Sequence, residues 1–232
     1  MSRRRKNDNT IHNNSNGKPI NRLNQNKEFK PKTPGQVEYV RAIIESDIIF
    51  CTGPAGSGKT ACAVGIACEH LRTNKIKKIV ISRPVIETGR QGLGFLPGTM
   101  ENKIHPYLIP MLEEMYIYLG RYNVENMIKN ETIVVAPLEY IRRKNLHQSF
   151  IILDEAQNVS KSQIKMLLTR IGNNSTIVIA GDIDQSDLYD EDMGLKWCIN
   201  RLNDVRGVSI VQLSHLDIIR NSIISRILAK LE

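Results

Sequence analysis

Gly53-Pro54-Ala55-Gly56-Ser57-Gly58-Lys59-Thr60 has the residue types and spacing that hold a chain of phosphates, in the form G-x-x-x-x-G-K-[ST]. Gly53, Gly56 and Gly58 permit positive φ, so that the backbone N–H groups of the loop, continued by Ala61, can turn toward an anion and approach it closely. The helix that follows adds its positive dipole end. Lys59 is then placed to reach the β- and γ-phosphates, and the Thr60 hydroxyl to ligate Mg²⁺. A glycine-rich turn that merely opened a buried helix would have no use for the Lys-Thr pair.

A second constellation lies about a hundred residues on. Ile151-Ile152-Leu153-Asp154-Glu155 is an apolar run that ends in two carboxylates. Asp154 suits the Mg²⁺ shell that Thr60 completes, and Glu155 is placed to take a proton from an attacking water. The competing reading is an acidic strand-end cap. Gly181-Asp182-Ile183-Asp184-Gln185 follows a further apolar run; there Gln185 can sense a γ-phosphate or orient water, and Gly181 allows a tight turn, although alone the stretch is an ordinary turn. Gln36, a short helix and a strand ahead of the loop, offers an amide to an adenine edge, which would favour ATP; it reads equally as a solvent-facing helix residue. No D-x-x-G after a strand and no N-K-x-D is present to read guanine.

These residues need a scaffold that gathers them. Six apolar runs, at 47–51, 78–81, 132–135, 150–153, 176–179 and 208–211, are continuous rather than alternating and are separated mostly by helical patterns. That combination predicts an α/β domain with a parallel sheet of about five to six strands buried on both faces. Thr33-Pro34 opens the first helix, with Val37, Val40, Ile43 and Ile44 as its apolar face. Ser160-Lys161-Ser162-Gln163 is a capping box for a helix carrying Ile164, Leu167, Leu168 and Ile171. The last helix repeats the pattern with Ile224, Ile227, Leu228 and Leu231. In open parallel sheets the ligand crevice lies beyond the carboxyl ends of the strands. The phosphate loop, Arg83-Pro84, Asp154-Glu155 and Gly181-Asp182 all fall there.

The chain has 232 residues and a net charge of +8, of which residues 1–33 carry +7 through nine basic side chains set against Asp8 and Glu28. Rich in Asn, Lys and Arg, this stretch is expected to be a disordered arm, either drawn to a phosphate backbone or a solubilising tail. Residues 34–232 are expected to form one domain. Cys51, Cys62, Cys68 and Cys198 lack C-x-x-C spacing, and the five histidines lack metal-ligand spacing. Reduced cysteines and no structural zinc follow. There is no membrane-length apolar run and no signal-peptide h-region, so the expected location is the cytoplasm.

The whole set of motifs resembles the PhoH family, whose ATPase domain is similar to the first RecA-like domain of superfamily 1 helicases. T-G-P-A-G-S-G-K-T at 52–60, R-P at 83–84, G-F-L-P-G at 94–98, I-L-D-E-A-Q-N at 152–158, G-D-I-D-Q at 181–185 and L-D-I-I-R at 216–220 carry the resemblance. It implies a RecA-like P-loop NTPase, Mg²⁺-dependent ATP binding and hydrolysis, and a link to RNA or single-stranded DNA. Lys59, Thr60, Asp154, Glu155, Gln185 and Arg220 match its nucleotide-handling positions. Arg83 and the Gly89–Gly98 loop match the place where helicase-like relatives approach a strand. Asn221 stands where the family usually has His.

A single RecA-like domain lacks the second domain whose arginine can raise the rate by ~10³ or more. Arg220 from a neighbouring copy is the candidate replacement, in a homo-oligomeric ring of which a hexamer is one size. A local cap or ion pair is the alternative for Arg220. The leading expectation is an ATPase that remodels nucleic acid; the alternatives are an ATP-gated RNA-binding oligomer with slow hydrolysis and no unwinding, and a nucleotide-dependent protein remodeller.

Overall fold

A computed structural model of the chain describes residues 27–84, 100–142, 145–189 and 192–219. All six apolar runs form strands: β1 (Ile48–Thr52), β2 (Lys78–Ser82), β3 (Ile133–Val135), β4 (Ser149–Leu153), β5 (Thr176–Gly181) and β6 (Val208–Gln212). They make a single parallel sheet in the order β3-β2-β4-β5-β1-β6. Because β5 lies between β1 and β4, the loop after β5 rises between the phosphate loop and the acidic strand tip. In-register pairs such as Phe50↔Ile179 and Ile151↔Ile177 stack branched and aromatic side chains across the sheet.

Helices cover both faces, which is why the central strands read as unbroken apolar runs. On one side α1 (Pro34–Glu45), α2 (Lys59–Arg72), α3 (Met100–Leu119) and α4 (Arg121–Lys129) pack around a core that includes Tyr39, Ile49, Ile79, Phe150, Ile152 and Val178. On the other, α5 (Leu138–Ile141), α6 (Lys161–Leu168) and α7 (Gly194–Leu202) cover Phe50, Val80, Ile151, Leu153, Ile177 and Ile179. Alternation along each strand sends neighbouring residues to opposite cores. Leu108, Met111, Leu112 and Met115 give α3 one fully buried stripe at helical spacing. Trp197, the chain's single tryptophan, is partly buried against the second core with the Arg201 guanidinium 5.3 Å from its ring centre. Among the described residues no helix is long and apolar enough to cross a membrane.

Three details differ from the sequence reading. In α1 the buried residues are Gln36, Tyr39 and Ile43, whereas Val37 and Ile44 are exposed. The helix is rolled by its N-cap: Thr33 accepts from the Gln36 N–H and its hydroxyl is itself tied to Asp217 beyond β6. The solvent-facing alternative for Gln36 is therefore wrong. Residues 27–33, grouped with the arm on composition, belong to the packed body: Phe29 lies edge-on to Tyr118 at 6.3 Å and against Gly65 of α2. The rest of the arm, the Gly89–Gly98 loop, Arg220 and the last helix lie outside the described residues. The capping box at Ser160 and Gln163 forms as read, with Ile164 and Leu167 buried beneath it.

Candidate functional site

The phosphate loop is a compact turn held by its own side chains. Gly53, Gly56 and Gly58 have φ of 145°, 82° and 93°, a run that only glycine adopts freely. The Ser57 hydroxyl donates to Pro54 O at 2.8 Å and its N–H to the same carbonyl at 3.3 Å, while Ala55 and Gly56 form the exposed crest. Lys59 Nζ donates to Gly53 O at 2.6 Å and to Pro54 O at 3.0 Å, so the ammonium already spans the concavity of the loop. Lys59, Thr60 and Ala61 form the first turn of α2, where N–H groups have no intrahelical partner.

Gln36 supports this loop from below. Its Nε2 donates to Ser57 O at 2.9 Å and its Oε1 accepts from Lys32 N at 2.9 Å. A Cβ on Gly58 would stand 2.5 Å from Gln36 Nε2. Beside Gln36 opens a cavity of about 740 Å³, lined among others by Phe29, Lys30, Gly58, Cys62 and Tyr118. Its mixture of aromatic and basic side chains next to the phosphate loop suits a nucleoside.

The two halves of the predicted metal site meet: Thr60 Oγ1 donates to Asp154 Oδ1 at 3.0 Å. Asp154 is buried at the tip of β4, and burial, with the adjacent Glu155, raises its pKa above the ordinary carboxylate value; Arg83 and the Thr60 hydrogen bond oppose the rise. A buried carboxylate whose charge is penalised in this way favours a neighbouring cation. Among the described residues no cluster of three or more His, Cys, Asp or Glu side chains is arranged to hold a metal. A divalent ion here would take only Thr60 and Asp154 from the protein, a sparse set that suits Mg²⁺ with water and phosphate oxygens.

Glu155 occupies the left-handed region, φ 53° and ψ 38°, which is uncommon for a residue with a side chain. Both of its carboxylate oxygens are taken. Arg83 Nη2 donates to Oε1 in an ion pair from the tip of β2, and Gln157 Nε2 donates to Oε2 at 2.6 Å. Gln157 also accepts from the Asp182 N–H at 3.1 Å, which fastens the turn after β4 to that after β5. The Ser186 hydroxyl donates to Gln157 O at 2.9 Å and the Asp187 N–H to Asn158 Oδ1 at 2.8 Å. These bonds hold Gln185 on the same edge of the sheet, in a single 3₁₀ turn (Ile183–Gln185), with its side chain exposed. Gly181 is not in a special conformation: a Cβ there would lie 2.8 Å from Gln157 N, so close approach rather than turn geometry requires the glycine.

Gln157 and Asp217 are the residues that reading the sequence did not single out, although each sits inside a quoted motif. Asp217 is buried after β6 and accepts from the Thr33 hydroxyl at 2.5 Å, from Ser214 N at 2.8 Å and from Ser214 Oγ at 3.2 Å. These bonds, the Thr33 hydroxyl foremost, lower its pKa. Through Thr33 it fixes the start of α1 and so the depth of Gln36.

A parallel sheet of this strand order, with a glycine-lysine-threonine loop after β1 and an acidic tip on β4, defines a RecA-like P-loop NTPase fold. Within that class the chain belongs to the PhoH family: a model of the family, described as PhoH-like protein, matches residues 28–232. It is 40% identical over 203 residues to the PhoH-like protein of Bacillus subtilis (strain 168), covering 87% of this chain and 63% of that one. With Protein PhoH of Escherichia coli (strain K12) the identity is 35% over 200 residues, covering 85% of this chain and 56% of the other. The chain thus spans less than two thirds of the length of these curated relatives. Among solved structures it is similar to the large terminase from a thermophilic bacteriophage, with a TM-score of 0.57, 9% identity and coverage of 88% of this chain and 51% of that one. At that identity the likeness concerns the fold alone.

Proposed function

We propose that the chain is a Mg²⁺-dependent ATPase of the cytoplasm whose hydrolysis is tied to binding or remodelling RNA or single-stranded DNA. The observation that carries the reading is the Thr60–Asp154 contact at 3.0 Å, which joins the phosphate loop to the strand tip bearing Glu155. In this reading the backbone N–H groups from Gly53 to Ala61, apart from Pro54, which has none, and Ser57, which donates to Pro54 O, bind the triphosphate together with the Lys59 ammonium, Lys59 exchanging its loop carbonyls for phosphate oxygens. The cavity beside Gln36 takes the base. Thr60 and Asp154 would hold a magnesium ion, which would supply positive charge to offset that of the phosphates. Glu155 accepts the proton of the water that attacks the γ-phosphorus, the bond to the β-γ bridging oxygen breaks, ADP departs as the leaving group and the γ-phosphoryl group becomes inorganic phosphate. Gln185 orients that water.

Arg220 from a neighbouring copy is assigned the transition-state charge on the γ-phosphate, which makes a homo-oligomeric ring part of the proposal. An Arg220→Ala protein with full activity would remove that part.

The test is the rate of ATP hydrolysis with and without single-stranded polynucleotide, comparing wild type with Glu155→Gln. Loss of the general base is expected to slow turnover by ~10²–10³ while ATP still binds. Wild-type protein that turns over no ATP with magnesium and any polynucleotide would refute the reading. The engagement of both Glu155 oxygens favours one alternative, an ATP-gated RNA-binding oligomer that hydrolyses slowly and unwinds nothing. Strand displacement on a tailed duplex separates the two.

A further inference from the structure

Arg83 stands on the far side of Glu155 from the nucleotide cradle. From β2, which carries Arg83, the sheet order runs through β4 and β5 to β1, a span of about 14 Å at ordinary strand spacing. Its guanidinium nevertheless turns inward and forms the ion pair with Glu155 Oε1, while both side chains keep some access to solvent, 25% for Arg83 and 35% for Glu155. The carboxylate proposed to receive a proton is therefore clasped by a cation that belongs to the outer part of the polar edge. A carboxylate oxygen that already accepts a charge-assisted bond has less to offer a water molecule. The left-handed backbone of Glu155 and the Gln157 bond to Oε2 leave it little freedom to turn away.

We propose that Arg83 couples occupancy of this edge by a nucleic-acid strand to the availability of Glu155. The inference rests on the ATPase reading above and names how its nucleic-acid partner would act. A guanidinium that pairs with a carboxylate oxygen pairs as well with the anionic oxygens of a backbone phosphodiester. A strand lying along the edge competes for Arg83, and Glu155 is left with Gln157 alone and with Oε1 free for water. The nucleotide phosphates are held on the opposite side of Glu155, which makes a polynucleotide the fitting competitor. Competition for one group is reciprocal, so the carboxylate must weaken strand binding by the same factor by which the strand frees the carboxylate.

Fluorescently labelled oligo(U) and oligo(dT) of equal length are titrated against the full chain as wild type, Glu155→Ala, Arg83→Ala and the double variant, without ATP, the two oligomers distinguishing RNA from DNA. Glu155→Ala is expected to tighten binding of at least one oligomer by about two- to fivefold, the range of a partly exposed ion pair, and Arg83→Ala to weaken it. The double variant should match Arg83→Ala alone. In parallel, Arg83→Ala should raise hydrolysis without polynucleotide and erase its stimulation, and Arg83→Lys, a gentler change to the fold, should keep part of it. An equal gain from Glu155→Ala whether or not Arg83 is present would mean general charge removal and overturn the coupling. So would wild-type stimulation in both Arg83 variants, or failure of both oligomers to bind. If wild type hydrolyses no ATP, the functional reading fails by itself and the binding cycle still decides the coupling.

Discussion

Replacing Asp217 should loosen the proposed nucleotide site from a distance. Its carboxylate takes three hydrogen bonds, from the Thr33 hydroxyl, Ser214 N and Ser214 Oγ, and it is buried. Bonds to a charged acceptor contribute ~1.5–3 kcal/mol each, but three that share one carboxylate do not add fully; about 3 kcal/mol is a fair total for Asp217→Ala. In a domain of this size that corresponds to a fall of about 6–12 °C in Tm. Asp217→Asn keeps one acceptor oxygen and should lose roughly half as much. The pH dependence has a definite sign. The hydrogen bonds hold the folded-state pKa of Asp217 below its unfolded value, so its contribution is complete above about 3.9 and disappears as pH falls through the lower, folded-state value. Thermal melts of wild type and Asp217→Ala should thus be separated by a constant gap from pH 7 to pH 5 and converge in stronger acid. Because Thr33 links Asp217 to the start of α1, Asp217→Asn should also raise KM for ATP more than it lowers kcat. Equal melting temperatures, or a gap that persists unchanged into strong acid, would refute the assignment of Asp217 as the anchor of α1.

The close approach at the end of β5 gives a second expectation: Gly181→Ala, with its Cβ 2.8 Å from Gln157 N, should cost about 1–3 kcal/mol by overpacking and lower kcat for ATP, read by denaturant melts beside steady-state rates. The four thiols give a third. All four cysteines are buried, and burial pushes the pKa of Cys62 and Cys68 up to about 12 and of Cys198 to about 11; native protein should leave an aromatic disulfide reagent unreacted for hours, and denatured protein should consume four equivalents at once.

What was legible in the sequence is what depends on local pattern. The six strands could be read because a parallel sheet covered on both faces demands unbroken apolar runs, and Gly53 to Thr60 because backbone conformation and charge there tolerate few alternatives. The pairing of Thr60 with Asp154 followed from the chemistry the two motifs share. The roll of α1 could not be read, since Val37 and Ile44 are as apolar as the buried Ile43 and only a contact made 184 residues away, Thr33 to Asp217, selects the face. Gln157 escaped for a similar reason: an amide reveals nothing of its partners until β4 and β5 are set side by side. The boundary at 33 was drawn on charge, and one aromatic, Phe29, carries the packed body several residues further back.

Trp197 has a practical consequence. As the sole indole of the chain, it lies in the layer formed with α6, on the face of the sheet turned away from α2 and the cavity beside Gln36. Its emission is insulated from a ligand in that cavity by a full thickness of strands, so simple contact quenching by a bound base is ruled out. A spectral change that accompanies nucleotide addition would report a displacement carried to α7, which packs against the turn Ala156–Asn158 beside Glu155, and this turns an ordinary fluorescence titration into a gauge of mechanical transmission across the domain.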